Sequence, residues 1–183
     1  QGAKYDELFA PEHQLVAILP PIKEERDKWG DFPIIAAGGI WDREDIEKIM
    51  DLGADAVQLG TRFIGTHECD ASPVFKQVLL DSKEEDIVIV SSPVGYPGRA
   101  VKTNLIKTLE PDTKNIKCIS NCIFPCNRGE GARRVGYCIA DSLGDAYLGR
   151  LQSGLFFSGA NGYKLKEIVH VKDLIDELMT NEK

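Results

Sequence analysis

Two glycine-containing turns hold the residues whose types and spacing suit them best to ligand binding. Gly38 and Gly39 follow one apolar run, and Gly60 and Thr61 follow another. Because glycine has no Cβ, it lets backbone N–H groups approach a ligand and adopts φ values that other residues avoid. A threonine hydroxyl beside such an amide can donate a hydrogen bond to a phosphate oxygen. The two turns therefore predict an anion site that is made mainly of backbone amides.

The segment Pro33–Thr66 contains the elements that would position these turns. Pro33–Ala37 and Ala54–Leu59 are apolar runs without alternation, as expected for parallel strands buried on both faces. Between them, Asp42 predicts the N-cap of an amphipathic helix and Gly53 predicts its end. The residues expected to face inward from this helix are Ile46, Ile49 and Met50. Both turns then lie at the carboxyl edge of one sheet, where the loops after the last two strands of a (β/α)8 barrel bind phosphate.

The length of the sequence limits how much of such a barrel it can contain. The chain has 183 residues, of which 43% are hydrophobic, and this is enough to bury a core. A complete barrel takes about 250 residues, and only two βα units can be identified. The expected fold is therefore α/β: part of a (β/α)8 TIM barrel, comprising its last strands, followed by a mainly helical C-terminal region. The expected domains are residues 1–110 for the barrel strands and residues 111–183 for the helical region.

Charge and cysteine content exclude several classes of partner. The net charge of −7 argues against a nucleic-acid surface. No signal peptide and no apolar run long enough to cross a membrane are found in the sequence. Five cysteines, an odd number, favour reduced thiols in the cytoplasm over a disulfide framework. We therefore expect a soluble, cytoplasmic protein that binds neither nucleic acid nor membrane.

Turn and capping signals predict the elements outside the segment Pro33–Thr66. Pro20 predicts the start of the first helix, because proline is costly inside a helix and its fixed φ suits the first turn. Ser72, followed by Pro73, predicts a helix that runs to about Asp81. Its inward residues are expected to be Val74, Phe75, Val78 and Leu79. The other expected elements are a strand at Ile87–Val90, a loop at 91–100, and helices at Thr103–Leu109, Val135–Leu151 and Val171–Met179. The segment at 154–165, GLFFSGANGYKL, predicts either backbone placed against a planar ligand or a buried turn.

The cysteines are not expected to bind a metal. Cys118, Cys122 and Cys126 are spaced C-x3-C-x3-C, and Cys138 is a distant fourth cysteine with no histidine near it. Structural zinc requires four suitably spaced ligands, and an iron–sulfur loop usually contains a C-x2-C step. The sequence therefore predicts thiols without a metal.

Histidines offer one further hypothesis. His67 beside Glu68 follows the second predicted strand, which is the end of a barrel where chemistry takes place. The two residues predict either an acid/base pair or a polar rim. His13 and His170 have no partner that the sequence indicates.

Four motifs in order resemble a known family. They are AAGGI, GADAVQLGTRF, SPVGYPGRA and GLFFSGANGYKLKEIVHVKDLIDEL. Together they are similar to the flavin-dependent barrel family of nitronate monooxygenases, also called 2-nitropropane dioxygenases, and of flavin-dependent enoyl-acyl-carrier-protein reductases. AAGGI alone is also typical of inosine monophosphate dehydrogenase, so the ordered set carries the resemblance. The resemblance implies that FMN is the cofactor and that Gly38 shapes the turn that binds its phosphate. The residues that it implies hold FMN are Gly39, Gln58, Leu59, Gly60 and Thr61.

The resemblance also implies a function and the position of the catalytic base. The family's catalytic histidine lies in a Gly-Gly-His-x-Gly turn, whose last two positions match Gln1 and Gly2, so the base is expected just before Gln1. The implied activity is the oxidation of alkyl nitronates by an FMN-dependent oxidoreductase. The alternatives are an enoyl-acyl-carrier-protein reductase that uses NAD(P)H and an FMN-binding module without turnover. The expected partners are a small-molecule substrate (a nitronate or NAD(P)H), the N-terminal half of the same protein and, as an open alternative, a second copy in a homodimer.

Overall fold

The computed structural model describes residues 14–109, 119, 122–123, 126 and 136–180. The chain divides into two compact units. The first consists of the described part of residues 1–68 and 168–183, and the second of the described part of residues 69–167. The domain boundary predicted near residue 111 lies outside the described residues and stays a prediction. The helices are α1 (Leu15–Trp29), α2 (Arg43–Asp51), α3 (Thr61–Ile64), α4 (Pro73–Leu80), α5 (Asn104–Thr108), α6 (Ile139–Tyr147) and α7 (Val171–Met179), and the strands are β1 (Ile35–Ala37), β2 (Ala56–Gln58), β3 (Ile87–Val90) and β4 (Gly98–Val101).

The first unit is built on a parallel pair of strands, β1 and β2, joined by α2. Ala36 lies opposite Val57, and both side chains belong to the face that packs against the core. The buried residues of this core are Leu19, Ile34, Ala36, Ile40, Ile49 and Ala54. On the opposite face Ile35 is 62% exposed, so the prediction that both faces are buried was wrong for this chain. Helices α1 and α2 supply core residues on one face only, which leaves alternate residues of each strand in solvent.

Helix α1 begins before Pro20, the residue at which the sequence predicted its start. It starts at Leu15 and continues through Pro20 and Pro21, with the amides of Ala17 and Ile18 bonded to the carbonyl oxygen of Gln14 at 2.9 and 3.1 Å. Each proline removes one backbone donor from the helix. Leu19, on the turn before them, is fully buried in the core, and this burial offsets the lost hydrogen bonds.

Helix α2 confirms the capping prediction and corrects the predicted apolar face. The Asp42 side chain accepts a hydrogen bond from the amide of Asp45 at 3.0 Å, and Gly53 follows the last turn with a φ of 105°. Ile49 is buried, but Met50 is 40% exposed and does not face inward. Met50 is rotated about 100° around the helix from Ile49, which turns it away from the core.

The second unit contains an antiparallel pair that the sequence did not predict in full. β3 pairs with β4, with Ile87 opposite Val101 and Val90 opposite Gly98. The segment 91–100, expected to be a loop, therefore ends in a strand. An apolar strand such as β3 needs a partner for its backbone donors and acceptors, and β4 supplies it.

The helices of the second unit are close to the predictions. Ser72 caps α4 through its hydroxyl, which accepts from the Phe75 amide at 3.2 Å, although Val74 is exposed rather than inward. Helix α6 begins later and ends earlier than the predicted Val135–Leu151, and Gly149, with a φ of 76°, follows its C-terminal end. The predictions for α5 and for α7 are confirmed.

The segment at 154–165 is buried and extended at its start, where Phe157 pairs antiparallel with Ala100 of β4, so this part is not the turn that one of the two alternatives predicted. Leu155 and Phe156 are fully buried. The Val101 amide donates to the Phe156 carbonyl oxygen at 2.9 Å, and the Ser158 amide donates to the Arg99 carbonyl oxygen at 3.1 Å. Two of the four motifs, SPVGYPGRA and GLFFSGANGYKL, thus pair with each other through backbone hydrogen bonds.

Candidate functional site

The two predicted turns leave the first unit's sheet at the same edge. The last residues of β1 and β2, Ala37 and Gln58, lie opposite each other in a parallel register. The chain therefore enters Gly38 from one strand and Leu59 from its neighbour, side by side at the carboxyl edge. Gly38, Gly39 and Gly60 are all exposed there. The structure thus brings together, on adjacent strands, the residues that the sequence predicted for an anion site.

The first turn requires glycine because of its backbone. Gly38 has a φ of 102° and Gly39 a φ of 74°, both in the left-handed region that side chains disfavour. A Cβ built at either position would meet no atom within 4 Å. Consecutive residues with unusual φ values can direct backbone N–H groups to one side of a turn.

The second turn shows a different requirement. Gly60 has a φ of −123°, a value open to any residue, and a Cβ built there would also meet no atom within 4 Å. Neither a left-handed φ nor close packing against the described residues accounts for a glycine at this position. Gly60 is exposed, and without a side chain its backbone is open to the close approach of a group such as a phosphate. Thr61, half-buried, follows as the first residue of α3.

The other two predicted cofactor residues lie in different surroundings. Gln58 is exposed on the face of the sheet that α1 and α2 leave open. Leu59 packs against the core of the first unit, so its side chain supports the turn while its backbone lines the carboxyl edge. Gln58 can therefore contact a ligand through its side chain, whereas Leu59 can do so only through its backbone.

The N-terminus of α2, by contrast, is poorly suited to an anion. Its capping carboxylates already accept from local amides: Asp42 from Asp45, and Asp45 from the Trp41 amide at 2.8 Å. Glu44 adds a further acidic residue to the first turn. These carboxylates repel a phosphate and use donors that it would need, so the start of α2 is less suited to a phosphate than the glycine turns are.

Arg62 is a residue of this region that the sequence analysis did not single out. Its guanidinium carbon lies 5.0 Å from the centroid of the Trp41 ring, and its Nη2 forms an ion pair with Glu177 of α7. The only signal for it in the sequence is a cation directly after Gly60-Thr61. Its partners are distant in sequence, so no local pattern could have indicated them.

The partners of the Glu68 carboxylate favour one of the two alternatives for His67 and Glu68. Glu68 accepts from the Val171 amide at 2.9 Å and lies 3.1 Å from Nδ1 of His170, so His170 does have a partner. The His67 and His170 rings lie 4.5 Å apart. The hydrogen bond from the Val171 amide, followed by that from His170, holds the pKa of Glu68 below its usual value. Glu68 therefore serves as an anchor for the first turn of α7, which favours the polar-rim alternative.

The cysteine loop is largely beyond what the structure describes. Cys118 and most of residues 118–131 lie outside the described residues. Among the residues that are described, no group of three or more histidine, cysteine or acidic side chains is arranged to hold a metal ion. The absence of a metal stays a prediction. No helix in the described ranges combines the length and apolarity that a membrane span requires.

The fold defines a class of protein: an α/β protein with two adjacent βα turns at the carboxyl edge of a pair of parallel strands. Comparison with known sequences gives the family. The family model described as nitronate monooxygenase matches residues 1–181, and the chain belongs to this family. The resemblance carried by the four motifs is thereby confirmed.

Curated relatives agree over part of their length. The chain is 38% identical over 76 residues to a probable nitronate monooxygenase of Staphylococcus saprophyticus, which is 42% of this chain and 21% of that protein. It is 35% identical over 113 residues to a probable nitronate monooxygenase of Staphylococcus aureus strain Newman, which is 59% of this chain and 31% of that protein. The matched part therefore spans less than a third of these relatives.

Solved structures share the fold. FabK from Thermotoga maritima superposes with a TM-score of 0.65 at 24% identity, over 91% of this chain and 48% of that one. Nitroalkane oxidase from Streptomyces ansochromogenes gives a TM-score of 0.61 at 22% identity, over 90% of this chain and 42% of that one. Both neighbours are of the TIM-barrel type, which confirms the α/β fold, while closure of a barrel stays a prediction.

Proposed function

We propose that this chain provides the phosphate-binding part of an FMN-dependent oxidoreductase of nitronate monooxygenase type. One observation carries the proposal: two exposed glycine-containing turns leave adjacent parallel strands in register, at the same edge of the sheet. Membership of the family and its flavin-dependent neighbours support FMN as the ligand.

Each predicted residue has a distinct role in this proposal. The amides of Gly39 and Gly60 and the hydroxyl of Thr61 donate to the phosphate of FMN, and Gly38 gives the first turn its shape. Gln58 extends from the open face of the sheet toward the rest of the cofactor. FMN, when bound, supplies the electron transfer that oxidises a nitronate.

The catalytic base is proposed to belong to a segment of the protein that this chain does not include. The matched part covers 31% of the Staphylococcus aureus relative, so most of such a protein lies outside the match. The exposed face of β1 and β2, with Ile35 in solvent, is the surface that further barrel strands and the cofactor would cover. We place the intact protein in the cytoplasm, with a homodimer as one assembly to be tested.

Enoyl-acyl-carrier-protein reduction with NAD(P)H remains the second proposal. FabK and nitroalkane oxidase have nearly equal TM-scores, 0.65 and 0.61, so the fold favours neither activity. An FMN-binding module without turnover is the third. The carrier-bound substrate of a reductase needs a channel for an acyl chain, which a nitronate does not.

The test uses the intact protein that carries this sequence. After purification, its absorption spectrum should show bound flavin, and a crystal structure should place the phosphate within hydrogen-bond reach of Gly39 and of Gly60 or Thr61. Oxygen consumption with a propyl nitronate should exceed NAD(P)H oxidation in the presence of an enoyl thioester. The reverse ratio would select the reductase, and flavin without either turnover would select the binding module. A phosphate bound elsewhere would contradict the proposed site.

A further inference from the structure

Arg62 links the two glycine turns. It follows Thr61 directly, and Trp41, whose ring its guanidinium approaches at 5.0 Å, comes two residues after Gly39. A guanidinium over an indole face is attracted by the ring electrons, and the attraction strengthens when both groups are desolvated. Trp41 is 6% exposed, so the contact is largely shielded from water. One side-chain contact therefore spans the segments that leave β1 and β2.

Helix α7 supports this contact from one side. Glu177 forms an ion pair with Arg62, and Arg43 of α2 donates through Nη1 to the carbonyl oxygens of Leu178 and Met179 at 3.3 and 3.4 Å. The start of α7 is held by Glu68 through the hydrogen bond from the Val171 amide. The helix is thus attached both to the first residues after the Gly38-Gly39 turn and to the first residues after Gly60.

The burial of Arg62 is costly for stability. Its side chain is 12% exposed, and its Nε atom is buried without a hydrogen-bond partner among the described residues. A buried charge with an unsatisfied donor usually destabilises a fold relative to an apolar side chain of similar size. Arg62 is therefore explained better by what it positions than by the stability it contributes.

We propose that Arg62 is a positioning residue that fixes the spacing of the two glycine turns and thereby sets the preference of the site for a phosphorylated flavin. This inference rests on the proposed function, since it assumes that FMN is the ligand. Glu177 acts through Arg62 by holding its guanidinium against Trp41. Loss of Arg62 should weaken binding of the phosphate and leave binding of the flavin ring unchanged.

The experiment compares the affinities of FMN and riboflavin for the intact apoprotein. In Arg62→Met, which keeps the length and an apolar contact with Trp41, the ratio of riboflavin to FMN dissociation constants should fall by about tenfold or more. Arg62→Lys should give an intermediate ratio, and Glu177→Gln a smaller reduction. Thermal melting of each apoprotein reports its folding.

The matched control is Arg26→Met. Arg26 is 14% exposed and forms an ion pair with Asp55 at 2.7 Å, so it is also a largely buried arginine with a carboxylate partner, but Asp55 directly precedes β2, at the edge of the sheet away from the glycine turns. This control should lower the melting temperature and leave the ratio unchanged. If Arg62→Met folds with an unchanged ratio, the inference is wrong. If Arg62→Met fails to fold, the ratio is measured in Arg62→Lys and Glu177→Gln instead. A ratio below that of the wild type supports the inference, and an unchanged ratio contradicts it. A wild-type protein that binds both flavins equally would contradict the proposed function instead.

Discussion

The two edges of the β1–β2 sheet are built in opposite ways. At the amino edge, Asp55 accepts hydrogen bonds from the Ile34 amide and from Nη1 of Arg26, each at 2.7 Å. The Asp55 side chain thus satisfies a backbone donor at this edge and connects α1 to the strands. At the carboxyl edge, Gly38, Gly39 and Gly60 are exposed and have no side chain that covers the backbone. Hydrogen bonds between segments of the chain stabilise a fold, whereas an exposed turn without side chains lets a ligand approach its backbone. We therefore propose that the amino edge contributes mainly to stability and the carboxyl edge to binding.

The strongest test of this comparison is Gly60→Val. We expect FMN affinity to fall by about 100-fold, because the side chain fills the space proposed for the phosphate and removes hydrogen bonds to a charged group. The melting temperature should change little, since φ at this position is open to any residue. Isothermal titration with FMN and thermal melting check both parts. A large loss of stability with FMN affinity retained would reverse the assignment of this edge.

Gly39→Ala should affect binding and folding together. At a φ of 74° any Cβ is strained, and such strain costs about 1–3 kcal/mol. We therefore expect a lower free energy of unfolding by urea denaturation and a moderately weaker FMN affinity, because relaxation of the strain turns the amide away. Gly30→Ala, at a φ of 129° outside the two turns, is the control for strain alone. If Gly39→Ala and Gly30→Ala lost FMN affinity equally, Gly39 would have no role of its own in binding FMN.

Thr61→Val should have a smaller effect on FMN. The substitution preserves the shape and removes only the hydroxyl, so one hydrogen bond to the phosphate is lost, and the affinity should fall by about tenfold. Thr61→Ser retains the hydroxyl and should bind FMN nearly as the wild type does. Titration of both variants checks the difference. If they bind alike, the hydroxyl does not contact the phosphate.

The smallest effect is expected at the amino edge, from Asp55→Asn. The amide of Ile34, followed by Arg26, holds the pKa of Asp55 below its usual value of 3.8. Because the pKa is lower in the folded state, the carboxylate stabilises the fold at pH values above its usual pKa. This contribution is lost as the pH falls through the folded-state pKa. The variant should melt a few degrees lower at neutral pH, with the difference shrinking below about pH 4. FMN affinity should not change; a loss of affinity would break the separation between the edges.

Local signals in the sequence were enough to predict the elements of the site. Asp42 caps α2, Ser72 caps α4 and Gly53 follows the end of α2, because capping depends on side chains and backbone groups only a few residues apart. The apolar runs likewise predicted both strands of the parallel pair, and the parallel register brought their carboxyl ends together as expected. The order of the four motifs was sufficient to predict the family.

Tertiary packing decided what those signals did not contain. The burial of Leu19 keeps α1 helical through two prolines, and β4 forms because β3 lies beside it. His170 and Arg62 found their partners, Glu68 and Glu177, more than a hundred residues away. Hydrogen bonds and ion pairs between distant segments leave no periodicity and no spacing in the sequence, so only the folded chain shows them. The sequence by itself determined the glycine turns, and the tertiary structure decided which side chains support them.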